Sequence, residues 1–126
     1  MKRIFTFLAL MVSLACIDAT AQAEIKFEKN THDFGVINES KPVTAIFVFE
    51  NTGNEPLIIN KVVLTSGKLT SDYTQKPIEP GAKGEIRVTY DVKGQPKVPF
   101  KKGIHVYTNA PKPVTRLYIK GQIAKD

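Results

Sequence analysis

Apolar side chains recur at every second position in several short segments of this chain. The alternation is clearest where Ile86, Val88 and Tyr90 are separated by charged or hydroxyl-bearing residues. A period of two predicts strands with one buried face. Residues 57–64 are apolar on both sides of Asn60, which predicts a buried strand with a bulge there. The positions expected in the core are Phe27, Phe34, Phe47, Phe49, Leu57, Ile86, Val88, Tyr90, Ile104, Val106, Leu117 and Ile119.

Glycine and proline divide the chain into short pieces. All 8 glycines and all 8 prolines lie from Gly35 onward, and the longest stretch after residue 23 that lacks both is Glu24–Phe34. A helix of three or more turns does not fit between these residues without a costly interior glycine or proline. Turn-forming sequences such as Asn51–Asn54 and Glu79–Gly81 separate the apolar segments. About seven short strands over roughly 100 residues indicate an all-β, immunoglobulin-like antiparallel β-sandwich.

The first 23 residues have the pattern of an export signal. Lys2-Arg3 supplies a positive start, Ile4–Ile17 is an apolar run, and Ala21-Gln22-Ala23 offers small residues where a signal peptidase cuts. The apolar run is too short to span a membrane, which needs about 20 residues. We therefore expect no transmembrane segment, cleavage between Ala23 and Glu24, and a single domain over residues 24–126 that is periplasmic or secreted.

Two alternatives to this cleavage remain open. Ala19-Thr20-Ala21 is a second small-residue site two positions earlier. Cys16, the only cysteine, is a candidate for the lipid-modified first residue of an outer-membrane lipoprotein, although Leu14 stands one position too late for such a signal. Cleavage at either peptidase site leaves a domain without cysteine, and therefore without a disulfide, a thiol nucleophile or a thiolate metal ligand.

Charge and reactive residue types argue against several classes of function. Lysine and arginine number 18 against 12 aspartate and glutamate, but the basic residues are scattered along the chain, which argues against nucleic-acid binding. His32 and His105 lie far apart and have no partners at metal-site spacing. No serine lies in a nucleophile-elbow pattern. We therefore expect no catalytic site, no metal site and no cofactor.

Several motifs occur in a fixed order after residue 23. They are Phe27, Asp33–Ile37, Phe47–Gly53, Pro56–Ile59, Pro77–Tyr90 and Leu117–Gly121. Together they resemble the bacterial exported family called domain of unknown function 1573, over nearly all of the expected domain. That family looks related to the immunoglobulin-like domains of the major-sperm-protein and cilia-associated group. The resemblance implies a β-sandwich with a binding or structural role, and it implies no activity.

One segment departs from the family pattern. After the strand that ends near Leu64, the family often carries a serine-cysteine-glycine-cysteine-threonine stretch. This chain has Thr65-Ser66-Gly67-Lys68-Leu69-Thr70 at the corresponding position, so the glycine is kept and both cysteines are missing. Any metal binding or thiol chemistry that the loop performs in relatives is therefore not expected here.

Two segments are predicted to be exposed loops that contact a partner. Thr65–Gln75 and Lys93–Pro99 are the longest and least apolar connections. Ser66, Lys68 and Tyr73 form the candidate partner-binding loop, and the lysine suits an anionic partner such as an envelope polymer. We expect a non-catalytic binding or accessory module of the bacterial cell envelope, whose partner is an unidentified protein or polymer. The alternatives are a structural lipoprotein anchored through Cys16 and a small exported enzyme or metal-binding protein.

Overall fold

The computed structural model describes residues 21–38 and 41–124, which form two four-stranded β-sheets. The strands are β1 (Ile25–Phe27), β2 (Thr31–Ile37), β3 (Val43–Asn51), β4 (Ile59–Leu64), β5 (Leu69–Tyr73), β6 (Lys83–Tyr90), β7 (Pro99–Thr108) and β8 (Val114–Ile123). Sheet A has the order β1-β3-β6-β5, and sheet B has the order β2-β8-β7-β4. The predicted immunoglobulin-like sandwich is confirmed, with eight strands instead of about seven. Cys16 and most of the expected export signal lie outside the described residues.

One strand pair departs from the expected antiparallel arrangement. β2 runs parallel to β8, with His32 opposite Ile119, whereas every other strand pair is antiparallel. Parallel neighbours need a long connection, and here most of the domain lies between the two strands. The β2–β8 register shifts between Asp33 and Val36. Gly35 lies inside this shift with a φ of 68°, a conformation that favours glycine.

The core follows the predicted faces of the strands. Phe47 is 1% exposed and lies on β3 between the equally inward-facing Ala45 and Phe49. All the residues predicted for the core are buried except Phe34, which is half-buried and packs against the core from β2. The predicted bulge is also present, because the β4–β7 register shifts between Ile59 and Lys61. The period-two pattern therefore identified the inner faces of the predicted strands correctly.

The side chain of Asn51, at the end of β3, is fully buried and makes four hydrogen bonds. Its Nδ2 donates to the carbonyl oxygens of Glu55 at 2.7 Å and Ile78 at 2.9 Å. Its Oδ1 accepts from the backbone N–H of Gly53 at 2.9 Å and of Glu24 at 3.3 Å. One side chain thereby joins the segment before β1, the turn after β3 and the segment before β6.

The segment Thr65–Gln75 is not a loop throughout. Leu69–Tyr73 forms β5, an edge strand of sheet A that pairs with β6, and Leu69 is only 5% exposed. The loop prediction is therefore wrong for these residues. They were missed because Ser71 occupies the inward position between Leu69 and Tyr73, which weakens the apolar alternation.

Candidate functional site

The outer face of sheet B carries a group of exposed basic and aromatic side chains. Ile104, Val106, Leu117 and Ile119 are buried between the sheets, so the residues that alternate with them along β7 and β8 point outward. Lys61 of β4 extends this surface, because it lies opposite Tyr107. We call the surface the basic aromatic face, and its residues are Lys61, Lys101, His105, Tyr107, Arg116, Tyr118 and Lys120.

Two lysines of this face lie over tyrosine rings. The Nζ of Lys61 is 4.8 Å from the ring centre of Tyr107, and the Nζ of Lys101 is 4.7 Å from the ring centre of Tyr118. An ammonium group above an aromatic face is attracted by the negative charge of the π-system. The four side chains are therefore held against the sheet with their amino groups near the phenol rings.

Gly103 leaves one position in the middle of the basic aromatic face without a side chain. It lies opposite Tyr118 in the β7–β8 pair. A Cβ at Gly103 would lie 3.6 Å from a ring carbon of Tyr118 and 3.8 Å from Nε2 of His105. The methyl group of Thr65 lies near the same position, and the hydroxyl of Thr65 donates to the Gly103 carbonyl at 2.8 Å. A tyrosine ring, an imidazole and a threonine therefore surround Gly103.

In the part of the chain that the structure describes, residues 21–38 and 41–124, the cations of the basic aromatic face make no ion pairs. Asp33 lies opposite Lys120, but its Oδ1 accepts from the Gly35 N–H at 2.8 Å. Sheet A differs, because its exposed Lys83 and Arg87 pair with nearby glutamates. Both ion pairs of the described residues therefore involve cations of sheet A, and the four cations of the basic aromatic face make none.

The two histidines lie in different environments. His32 faces inward, with its ring centre 4.6 Å from that of Phe34 and 6.5 Å from that of Phe47. Burial, reinforced by the charge of Lys29, lowers the pKa of His32, and Asp33 opposes the shift. The described residues contain no group of three or more His, Cys, Asp or Glu side chains placed to hold a metal ion.

The candidate loop residues do not share one surface. Ser66 and Lys68 lie in the turn between β4 and β5, directly after Thr65 at the border of the basic aromatic face. Lys68 is exposed, and its carbonyl accepts from the N–H of Asp91 at 3.0 Å. Tyr73 instead lies half-buried on β5 in sheet A, packed against the core.

Sequence reasoning missed the basic aromatic face. The signal was present in the outward positions of the last two strands, where Lys101, His105 and Tyr107 alternate with buried residues, as do Arg116 and Tyr118. Each strand alone is an ordinary amphipathic strand, and only the β7–β8 pairing gathers the cations.

In the part of the chain that the structure describes, no helix has the length and apolar character needed to cross a membrane.

A family model described as protein of unknown function (DUF1573) matches residues 25–123, from the first residue of β1 to the last residue of β8. The chain belongs to this family. The resemblance that the motifs indicated is thereby confirmed over both sheets of the DUF1573 sandwich. No curated protein matches the chain.

Solved structures share the fold at low identity. A protein of unknown function from Porphyromonas gingivalis W83 is 21% identical with a TM-score of 0.73, and the match covers 84% of this chain and 50% of that one. The ASH/PapD-like domain 7 of human CEP192 is 10% identical with a TM-score of 0.61, covering 85% and 89%. The YadV chaperone is 19% identical with a TM-score of 0.57, covering 81% and 52%. The DUF1573 chain thus spans about half the length of the P. gingivalis protein.

Proposed function

We propose that this DUF1573 chain is an exported, non-catalytic binding module of the bacterial cell envelope. The basic aromatic face is the observation that carries this function. Four cations without ion pairs lie beside two tyrosines on an exposed sheet surface of the described chain. Tyrosine and arginine are enriched where proteins contact partners, and open charge of one sign attracts a partner of the other sign. The fold is shared with the YadV chaperone, and a binding role fits it.

Export is supported by the pattern of residues 1–23. A positive start, a short apolar run and small residues before Glu24 are the three parts that secretion requires. Lipid attachment at Cys16, which lies outside the described residues, is the alternative form of the same function. Either route places the domain outside the cytoplasm.

The packing of the segment before β1 favours the earlier of the two peptidase sites. Ala23 is only 3% exposed and belongs to the core cluster. The carbonyl of Gln22 accepts from the N–H of Asn54 at 2.9 Å. A Cβ at Gly53 would overlap that carbonyl, so the glycine makes room for this segment. Cleavage after Ala21 keeps these contacts, whereas cleavage after Ala23 removes them.

The turn between β4 and β5 is a second part of the proposed contact surface. Ser66 and Lys68 follow Thr65 at the border of the basic aromatic face, so a ligand on that face also reaches them. Tyr73 lies on an edge strand of sheet A. Its role would be to flank a partner strand that adds to this edge.

Cell fractionation and intact-mass measurement test this function. The full chain is expressed in a bacterial host, and the purified protein is then sedimented with isolated cell envelopes. We expect the protein outside the cytoplasm, without its leader, and bound to the envelopes. A protein that stays cytoplasmic with residues 1–23 attached contradicts export. Substrate turnover or a stoichiometric metal would overturn the non-catalytic role, and a mass with acyl chains on Cys16 would establish the lipoprotein form.

A further inference from the structure

Like charges face each other on the basic aromatic face. Lys101 of β7 lies directly opposite Lys120 of β8. Like charges at opposed positions of neighbouring strands repel and destabilise a sheet. Neither lysine makes an ion pair in the described residues, and the carboxylate of Asp33, which lies opposite Lys120 on β2, balances at most one of the two charges. An anion bound between the two amino groups would relieve this repulsion.

The basic and polar groups follow one line along β7 and β8. From the opposed Lys101 and Lys120, four residues along each strand lead to the opposed His105 and Arg116. At about 3.3 Å per residue, the two positions lie roughly 13 Å apart. Tyr118 and Gly103 lie between them, and Lys61 over Tyr107 continues the line. The arrangement suits an extended ligand with repeated negative charges.

The tyrosines distinguish between two kinds of polyanion. Proteins that bind single-stranded nucleic acid offer open aromatic faces on which bases stack. Here the amino groups of Lys61 and Lys101 lie over the rings of Tyr107 and Tyr118, so a base that stacked on that face of either ring would have to displace a lysine. The phenol and imidazole groups are still able to hydrogen-bond with hydroxyl groups. A ligand with many hydroxyls and regularly placed anions fits these groups better than a nucleic acid does.

We propose that the basic aromatic face binds an acidic polysaccharide, a linear chain of sugars that carry carboxylate groups, along β7 and β8. The inference rests on the proposed function, because it names the envelope polymer that the module contacts. The carboxylates lie near the Lys101–Lys120 pair and near Arg116, and sugar hydroxyls lie over Gly103 beside Tyr118 and His105. Such binding weakens as salt screens the exposed charges.

Carboxymethyl-dextran and unmodified dextran are suitable probes, since they share one backbone and differ in carboxylates. Titration calorimetry uses the protein purified after expression of the full chain. We expect binding to carboxymethyl-dextran and none to dextran. The double variant K101Q/K120Q should bind roughly tenfold more weakly, because each exposed charge pair contributes modestly. The control K26Q/K76Q removes the same charge from exposed positions away from this face and should bind as the wild type does.

Three results would overturn the inference. The first is that K26Q/K76Q weakens binding of carboxymethyl-dextran as much as K101Q/K120Q does. The second is that a single-stranded oligodeoxynucleotide binds more tightly than carboxymethyl-dextran, and the third is that carboxymethyl-dextran does not bind at all. Envelope sedimentation of the same variants separates this failure from failure of the proposed function. If the wild type and K101Q/K120Q sediment equally with envelopes, the module binds its partner elsewhere and the ligand inference alone is wrong. Unchanged melting temperatures of both variants show that the fold is intact.

Discussion

Replacing Asn51 by alanine should destabilise the domain strongly, although it removes only one small polar side chain. The carbonyl of Ile78 loses one of its two donors in a buried position and keeps the N–H of Leu57 at 2.9 Å, and the three other partners of Asn51 lie partly buried. Each hydrogen bond that is lost contributes about 0.5–1 kcal/mol. With four bonds lost, we expect N51A to lower the free energy of unfolding by about 2–4 kcal/mol.

Aspartate at the same position tests the direction of the hydrogen bonds. Asn51→Asp keeps an acceptor for the N–H groups of Gly53 and Glu24 but places a carboxylate oxygen against the carbonyls of Glu55 and Ile78. Burial beside two carbonyls should raise the pKa of this carboxyl above its ordinary value of about 3.9. At pH 8 N51D should therefore be less stable than N51A. Its deficit relative to wild type should shrink as the pH falls, because the protonated form is favoured in the folded state.

Urea melts followed by circular dichroism measure these changes. The matched control is N109A, since exposed Asn109 also bonds two backbone groups, the N–H of Ile58 and the carbonyl of Pro56. Water can replace both bonds, so N109A should cost about 1 kcal/mol or less. A loss under about 1 kcal/mol in N51A, or an N51D variant more stable than N51A at pH 8, would refute this reasoning.

Three further outcomes are expected. Phe47→Ala should cost about 3–5 kcal/mol in the same melts, and a loss under about 1 kcal/mol would mean that its ring is not buried. Because burial lowers the pKa of His32, its protonation opposes folding. Stability should therefore fall as the pH drops below about 6.5. Between pH 7.5 and 5.5 the free energy of unfolding should decrease less in H32Q than in the wild type, and an equal decrease in both would contradict this. Intact mass of the exported protein should show Gln22 as the first residue, and a start at Glu24 would show that the buried segment before β1 is dispensable.

The strands and the core could be predicted because alternation is a local property of the sequence. Phe47, Ile86 and Val88 are buried as their parity indicated. Phe34 is only half-buried, because it lies beside Gly35 at the register shift of the edge strand β2. A local pattern does not show which strand lies at an edge of a sheet.

The candidate site could not be predicted, because it depends on which strands become neighbours. The basic residues were interpreted as scattered, and along the sequence they are. Pairing of β7 with β8 brings Lys101 opposite Lys120 and His105 opposite Arg116, and β4 then adds Lys61. The segment Thr65–Gln75 has the low apolar content of a surface loop, and surface loops carry many binding sites, so the sequence points to that segment instead. A flat sheet face gives no comparable signal in glycine, proline or loop length.

Amide chemical shifts in a titration with carboxymethyl-dextran test the binding face most directly. The measurement uses isotope-labelled protein purified after expression of the full chain. We expect saturable shifts centred on Lys101, Gly103, His105, Arg116 and Tyr118, with sheet A unaffected. Shifts centred on sheet A, or none at all, would contradict the assignment of the basic aromatic face as the surface that binds.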